Sequence, residues 1–231
     1  MKIVLFSLAL IFSAQAETLK EKLDIRSQAS SKKMPDEIKE VMKKGLQDLK
    51  DSGIEKRTLK VGKTLPSFSL KDARGIITPI KNIYSKGPLV ITFYRGHWCP
   101  YCQLELKEYE ILKTEFEKAG ATIIALAPDK WNLIKKTKEK LNLSFDIFRD
   151  ENNNIAKRMG LAFALDSDTL RIYKKFGINL EESQGNSNNE LPMPGTYVVD
   201  RLGIVRFSYA DPDYKKRAEP SEVLKVVQGL K

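Results

Sequence analysis

Leu89-Val90-Ile91-Thr92-Phe93-Tyr94 runs without a break into Arg95-Gly96-His97-Trp98-Cys99-Pro100-Tyr101-Cys102. The first six residues are all apolar, β-branched or aromatic, the pattern of a strand buried on both faces in the middle of a sheet. Pro100 fits the first turn of a helix, where its missing N–H is no loss. Leu104, Tyr109, Leu112 and Phe116 carry that helix to about Ala119. Cys99 and Cys102 therefore sit where a buried strand turns into a helix. Backbone N–H groups at a helix start are unpaired and carry partial positive charge, so they stabilise a thiolate. In such Cys-x-x-Cys sites the thiol pKa falls from about 8.5 to roughly 3.5–7.5. The spacing also lets the pair close a disulfide with little backbone movement.

Outward from this segment, residues 122–127 read as a second buried strand and residues 130–141 as a basic helix. A short strand at 145–148 and a helix at 154–161 follow. Residues 166–189 show no clear period, and 182–189 read as a polar surface loop. Residues 196–199 and 204–209, joined by a turn at Asp200-Arg201-Leu202-Gly203, form a hairpin. A helix over 220–230 closes the chain, with Val223, Leu224, Val227 and Leu230 facing inward. On the other side, Phe68 and Leu70 share one face of a short strand, and Gly75 marks a turn. This order predicts an α/β domain: a mostly parallel central sheet with an antiparallel C-terminal hairpin and helices on both faces.

The chain divides into three parts. After Lys2, residues 3–12 are apolar except for Ser7, and Ala14-Gln15-Ala16 supplies a small-x-small motif. This is the pattern of a cleaved signal peptide over residues 1–16, too short for a membrane span of about 20 residues. It predicts a mature chain from Glu17 that is periplasmic or secreted and keeps no membrane span. Residues 17–58 form a charged helical extension, in which Ile38, Val41, Met42, Gly45, Leu46 and Leu49 make one apolar stripe. Pro35, Asp36 and Glu37 suit its start and Gly53 its exit. The stripe either docks on the main domain or pairs with a second copy in a homodimer. Residues 59–231 form the compact domain.

At 231 residues, 42% hydrophobic and 30% charged, the chain can bury a proper core. The net charge of +10 comes from lysines spread along it, without the concentrated stripe or motif of a nucleic-acid binder. Two cysteines three residues apart exclude a framework of scattered disulfides. A structural disulfide closing so short a loop would constrain the unfolded chain little. A zinc site would need two more ligands, and His97 is the only histidine. The pair reads as redox chemistry that asks for neither metal nor cofactor.

Residues 92–102 resemble the active-site segment of the thioredoxin superfamily. The stretch from about Leu59 onward resembles its peroxiredoxin-like branch, the alkyl hydroperoxide reductase/thiol-specific antioxidant family. Val61-Gly62 with Pro66-Ser67-Phe68-Ser69-Leu70 resembles that family's opening, and Met193-Pro194-Gly195-Thr196-Tyr197-Val198-Val199-Asp200 the strand facing the site. Asp211-Pro212-Asp213-Tyr214 and Arg217-Ala218-Glu219-Pro220 resemble its C-terminal end. The resemblance implies a thioredoxin-like fold and a peroxide substrate. The peroxide-oxidised cysteine would become a sulfenic acid, condense to a disulfide and be re-reduced by a thioredoxin-type donor. The departures matter as much. Peroxiredoxins carry Pro-x-x-x-Thr-x-x-Cys; on this chain the attacking cysteine falls on Cys102, the threonine on Cys99 and the proline on Arg95. The family's arginine falls on Pro194, where thioredoxins have a cis-proline. That position implies a proline holding the Met193 backbone beside the disulfide, open to an incoming peptide.

Around the cysteines, Arg95 would favour a thiolate and polarise a peroxide oxygen, or else lie solvated at the strand end. His97 is either an acid–base group or exposed. Trp98 is expected to shield the site, Tyr101 to be exposed and shape access, and Thr196 to line the pocket. Three functions stay open: a thiol peroxidase, a thiol–disulfide oxidoreductase acting on protein cysteines, and a binding module using the amphipathic helix. The cysteine pair favours the first two.

Overall fold

The computed structural model describes residues 17–230. The signal peptide expected over residues 1–16 lies outside them. Helices α1 (Leu19–Lys33), α2 (Asp36–Asp51) and α3 (Ile54–Arg57) come first, followed by strands β1 (Ser69–Lys71) and β2 (Ile77–Pro79) and helix α4 (Lys81–Tyr84). Then come β3 (Leu89–Phe93), α5 (Pro100–Lys118), β4 (Thr122–Ala127), α6 (Trp131–Leu141), β5 (Asp146–Arg149) and α7 (Asn154–Arg158). The chain continues through β6 (Ala162–Ala164), α8 (Ser167–Lys175), α9 (Leu180–Gln184) and β7 (Glu190–Pro192). It ends with β8 (Gly195–Val199), β9 (Val205–Ala210) and α10 (Pro220–Gln228).

The central sheet has the order β5-β4-β3-β8-β9. β3 pairs parallel with β4, and β4 with β5. β8 runs against both β3 and β9, so four of the five strands share one direction. Alternation along β3 explains the apolar run that opens it. Val90 joins a core with residues of α5, α6 and α10 on one face, while Leu89, Ile91 and Phe93 join a core with α3, β1 and α7 on the other. β4 and β8 divide their side chains in the same way. A sheet covered on both faces is the expected α/β layer arrangement.

The N-terminal residues pack onto this body. A capping box between Thr18 and Glu21 starts α1. The carboxylate of Glu219, just before α10, accepts from the Leu19 and Lys20 N–H groups at 3.2 Å each. Leu19 and Leu23 are buried in the core with α5, and Ile54 of α3 is fully buried in the other core. α2 lies against α8. The extension docks on the domain, and the packing begins well before residue 59.

The segment over 166–189 corrects the sequence reading. Asp166 caps α8 through the Thr169 N–H, and Asn179 caps α9 through the Glu182 N–H. Within the stretch expected as a surface loop, Ser183 and Gln184 are buried. Gln184 is held there because its Nε2 donates to the Glu190 carbonyl at 2.9 Å.

Candidate active site

Both cysteines stand at the carboxyl end of β3, in the centre of the sheet. Cys99 is the N-cap of α5 with extended backbone, and Pro100 opens the helix. The approach through Gly96 is tight. Its φ is +154°, and a Cβ there would meet Trp98 Nε1 at 2.6 Å and Asp129 Oδ1 at 3.2 Å. Cys99 is 1% exposed and Cys102 not at all. The Cys102 thiol points at Cys99 Sγ across 2.6 Å, so the two sulfurs can join without rearranging the backbone.

The two thiols differ sharply in acidity. Burial raises the Cys99 thiol. The hydrogen bond from Cys102, the charges of Arg95 and Arg217 and the Cys102 N–H outweigh it, bringing the pKa down to about 6. Cys102 goes the other way: burial, its hydrogen bond to Cys99 and the charge on Cys99 hold it well above the usual thiol range. At neutral pH Cys99 is the thiolate and Cys102 the proton-bearing partner.

Beneath Cys102 lies a buried charge pair. Arg217 Nη2 is 3.4 Å from Cys102 Sγ, and Arg217 Nε donates to Glu105 Oε2 at 2.6 Å. Their side chains are 1% and 0% exposed. The other carboxylate oxygen, Oε1, accepts from Thr92 and Thr196 at 3.3 Å each. Burial pushes Glu105 up to about 7 against the pull of Arg217. Burial would lower Arg217, but Glu105 and the cysteines raise it above the ordinary arginine value. Arg217 thus stays a fixed cation between a carboxyl group and a sulfur.

Of the residues singled out in the sequence, Arg95 is buried beside the pocket. Its guanidinium lies 4.2 Å from the Tyr214 ring centre and 5.0 Å from that of Trp98, and Nη2 donates to the Tyr173 hydroxyl. Trp98 stacks edge-on against Tyr173 at 5.4 Å, beside the Arg95 guanidinium. His97 is half-buried and tied into the loop: its N–H donates to Asp129 Oδ2 at 2.6 Å, and its carbonyl accepts from Gln103 at 2.5 Å. Tyr101 is buried, not exposed, because its ring packs edge-on against Tyr214 at 5.5 Å. Thr196 is part of the floor with Glu105, not of an open pocket. The Met193–Pro194 bond is trans, as are all peptide bonds among the described residues. The Met193 N–H is spent on the Leu161 carbonyl at 2.8 Å, so it does not await a peptide.

Glu105, Arg217, Asp129, Tyr173 and Tyr214 are site residues that the sequence reading missed. Glu105 lies one turn after Cys102 on the apolar face of α5, a position where a charge is a signal in itself. Asp129 follows β4, whose parallel pairing brings its carboxyl end beside that of β3, the usual place for site residues in such sheets. Arg217 and Tyr214 lie in the two C-terminal segments that resemble the family's end, but nothing in those segments alone connects them to the cysteines more than a hundred residues earlier.

A Cys-x-x-Cys pair capping the helix after a central strand, with one thiol made acidic by its partner's hydrogen bond and by two arginines, defines a thiol redox protein of the thioredoxin fold. The AhpC/TSA family model matches residues 61–208. Peroxiredoxin Q, a chloroplastic protein of Sedum lineare, is 28% identical over 170 residues, 74% of this chain and 78% of that relative. A Helicobacter pylori relative assigned to the peroxiredoxins is 32% identical over 151 residues, 65% of this chain and 80% of its own length. The solved structure of peroxidoxin BcpB from Mycobacterium tuberculosis superposes with a TM-score of 0.58 at 19% identity, covering 75% of this chain and 99% of that one. The chain belongs to the AhpC/TSA family and is a thiol-dependent peroxidase of the peroxiredoxin type.

Proposed function

We propose that Cys99 is the peroxide-attacking thiolate and Cys102 the resolving thiol, the reverse of the family register, which sets attack on Cys102. The observation that carries this is the geometry of the pair: Cys99 stands at the N-cap of α5 and accepts from the Cys102 thiol, an arrangement that lowers the pKa of Cys99 and raises that of Cys102. The Cys99 thiolate attacks the terminal peroxide oxygen, the O–O bond breaks, and the departing alkoxide takes a proton from solvent. Cys99 is now a sulfenic acid. Cys102 displaces its hydroxyl as water, and a disulfide forms. A thioredoxin-type dithiol reduces it and is itself oxidised. The test is sulfenic-acid trapping with a dimedone-type probe after a peroxide pulse. Labelling of Cys102→Ser and not of Cys99→Ser supports the assignment; the opposite pattern returns attack to Cys102.

Action on protein disulfides fits less well. Both sulfurs are buried, and the Met193 N–H that would pair with a bound peptide is already bonded to Leu161. Residues 1–16 support export to the periplasm or beyond, where the chain would work from Glu17 onward. Mass analysis of the cellular protein tests this, and a cytoplasmic full-length chain would contradict it.

A further inference from the structure

Residues 211–219, between β9 and α10, form no helix or strand, yet they deliver two groups to the site. The Tyr214 ring lies 4.2 Å from the Arg95 guanidinium and packs edge-on against Tyr101. Arg217 reaches Cys102 Sγ at 3.4 Å and Glu105 Oε2 at 2.6 Å. Internal turns shape this strap. Asp211 Oδ1 accepts from the Asp213 N–H at 2.8 Å, and Asp213 Oδ1 from the Lys215 N–H at 3.1 Å. Arg217 Nη1 donates to the Tyr214 and Lys216 carbonyls. None of these bonds fixes the strap against the rest of the molecule. Among the described residues, two sets of hydrogen bonds do: those of Arg217 in the site itself, and those of the Glu219 carboxylate two residues further on.

Glu219 is the N-cap of α10, but its side chain makes no cap bond there. Its carboxylate turns to α1 instead, where Oε1 accepts from the Leu19 N–H and Oε2 from the Lys20 N–H. The first four N–H groups of a helix have no partner within it, and a carboxylate is favoured beside them. Thr18 takes the Glu21 and Lys22 N–H groups, so Glu219 completes the set. α1 in turn is fixed to α5, the helix that carries Cys102 and Glu105. Lys22 Nζ pairs with Glu108 of α5 at 2.6 Å, and Leu19 and Leu23 are buried in the core that contains both cysteines. These two leucines are the buried residues of α1, and Ile25 beside them is exposed. α1 therefore bridges α5 and the strap, and ties Arg217 to the frame that the cysteines share. Both α1 and the strap lie outside the family match at 61–208.

We propose that Glu219 is a positioning residue for the cysteine pair: seated on the first turn of α1, its carboxylate holds the strap so that the Arg217 guanidinium stands against Cys102. The N-terminal extension thereby serves the redox centre through the strap. The proposal holds whichever sulfur meets the peroxide, because Arg217 draws the pKa of both thiols downward. Arg95, Arg217 and Glu105 are the charged groups that act on the pair directly, and Glu219 acts through the second of them. The test is the pH profile of Cys99 alkylation by iodoacetamide in the reduced full chain, followed by mass mapping and needing no peroxide. An opposite charge at about 4–6 Å moves a pKa by roughly 1–3, and loosening the strap removes part of that effect. Glu219→Ala, with the β3 amides still protected, should raise the midpoint by about one pH unit and slow alkylation at about pH 5 roughly tenfold. Leu23→Ala loosens α1 from α5 without altering the strap. It should move the midpoint the same way, and it gives the reading independently where Glu219→Ala does not fold. In Arg217→Met/Glu105→Gln the cation is gone and no buried charge is stranded. There Glu219→Ala should leave the midpoint where that background sets it, a dependence on Arg217 that a merely structural role of Glu219 would not show. A midpoint unmoved in both Glu219→Ala and Leu23→Ala, or moved as far in the background as in the parent, overturns the proposal.

Discussion

Replacing Arg217 by methionine removes the cation between Glu105 and Cys102 while keeping a flexible side chain of similar length. The carboxylate left behind is fully buried, with only two threonine hydroxyls at 3.3 Å to hold it. Breaking a buried pair from one side costs about 3–5 kcal/mol. At about 2–4 °C for each kcal/mol in a chain of this size, Tm falls by roughly 10 °C. The loss depends on pH. Glu105 in the folded protein is raised from 4.5 to about 7, so the native state keeps a proton that the unfolded state has already released. Its contribution to stability is therefore full below about pH 4.5 and declines as pH rises towards 7. Without Arg217 the folded pKa climbs further, and the decline extends to higher pH. Urea melts of both proteins at about pH 5 and about pH 8 should show a small difference in acid and a large one in base. Arg217→Met combined with Glu105→Gln should recover most of the loss, because no buried charge remains. A single variant within 1 kcal/mol of the parent, or a double variant no more stable than the single one, would refute the reading of this pair as a coupled buried charge network.

Alkylation of Cys99 by iodoacetamide follows the thiolate, so its rate should rise with pH through a midpoint at about 6 before levelling off. In Arg95→Ala the midpoint should move upward; an unmoved midpoint removes Arg95 from the thiolate's support. Gly96→Ala drives a methyl into Trp98 Nε1 at 2.6 Å, and denaturant melts should show a loss of about 1–3 kcal/mol. Glu219→Ala deprives two N–H groups at the start of α1 of their acceptor, and hydrogen exchange at Leu19 and Lys20 should accelerate while the β3 amides keep their protection.

The fold was legible where one residue type dominates a whole element. β3 and β4 are apolar at nearly every position because they are covered on both faces, and a sequence shows that directly. β6 and β7 were not visible. Ala162-Phe163-Ala164 and Glu190-Leu191-Pro192 are three residues each and become strands only by pairing with each other across 25 intervening positions. The same divide runs through the site. The cysteines, Pro100 and Arg95 are neighbours in sequence and could be read together. Tyr101 was misplaced because Tyr214, which covers it, arrives more than a hundred residues later. Pro194 occupies the place of the thioredoxin proline, but β7 pairs with β6 just ahead of it and leaves its backbone in a different role.

Arg217 lies beyond β9, more than a hundred residues after the cysteines it serves. A growing polypeptide thus carries both thiols before the guanidinium that Cys102 meets in the folded protein has been made. β8, which seals the other edge of β3, is also a late arrival. The charge environment of the pair is therefore complete only once the segment after β9 has folded back onto α5. A prematurely terminated product would keep the Cys-x-x-Cys motif intact and yet lack the completed thiolate environment of the finished enzyme.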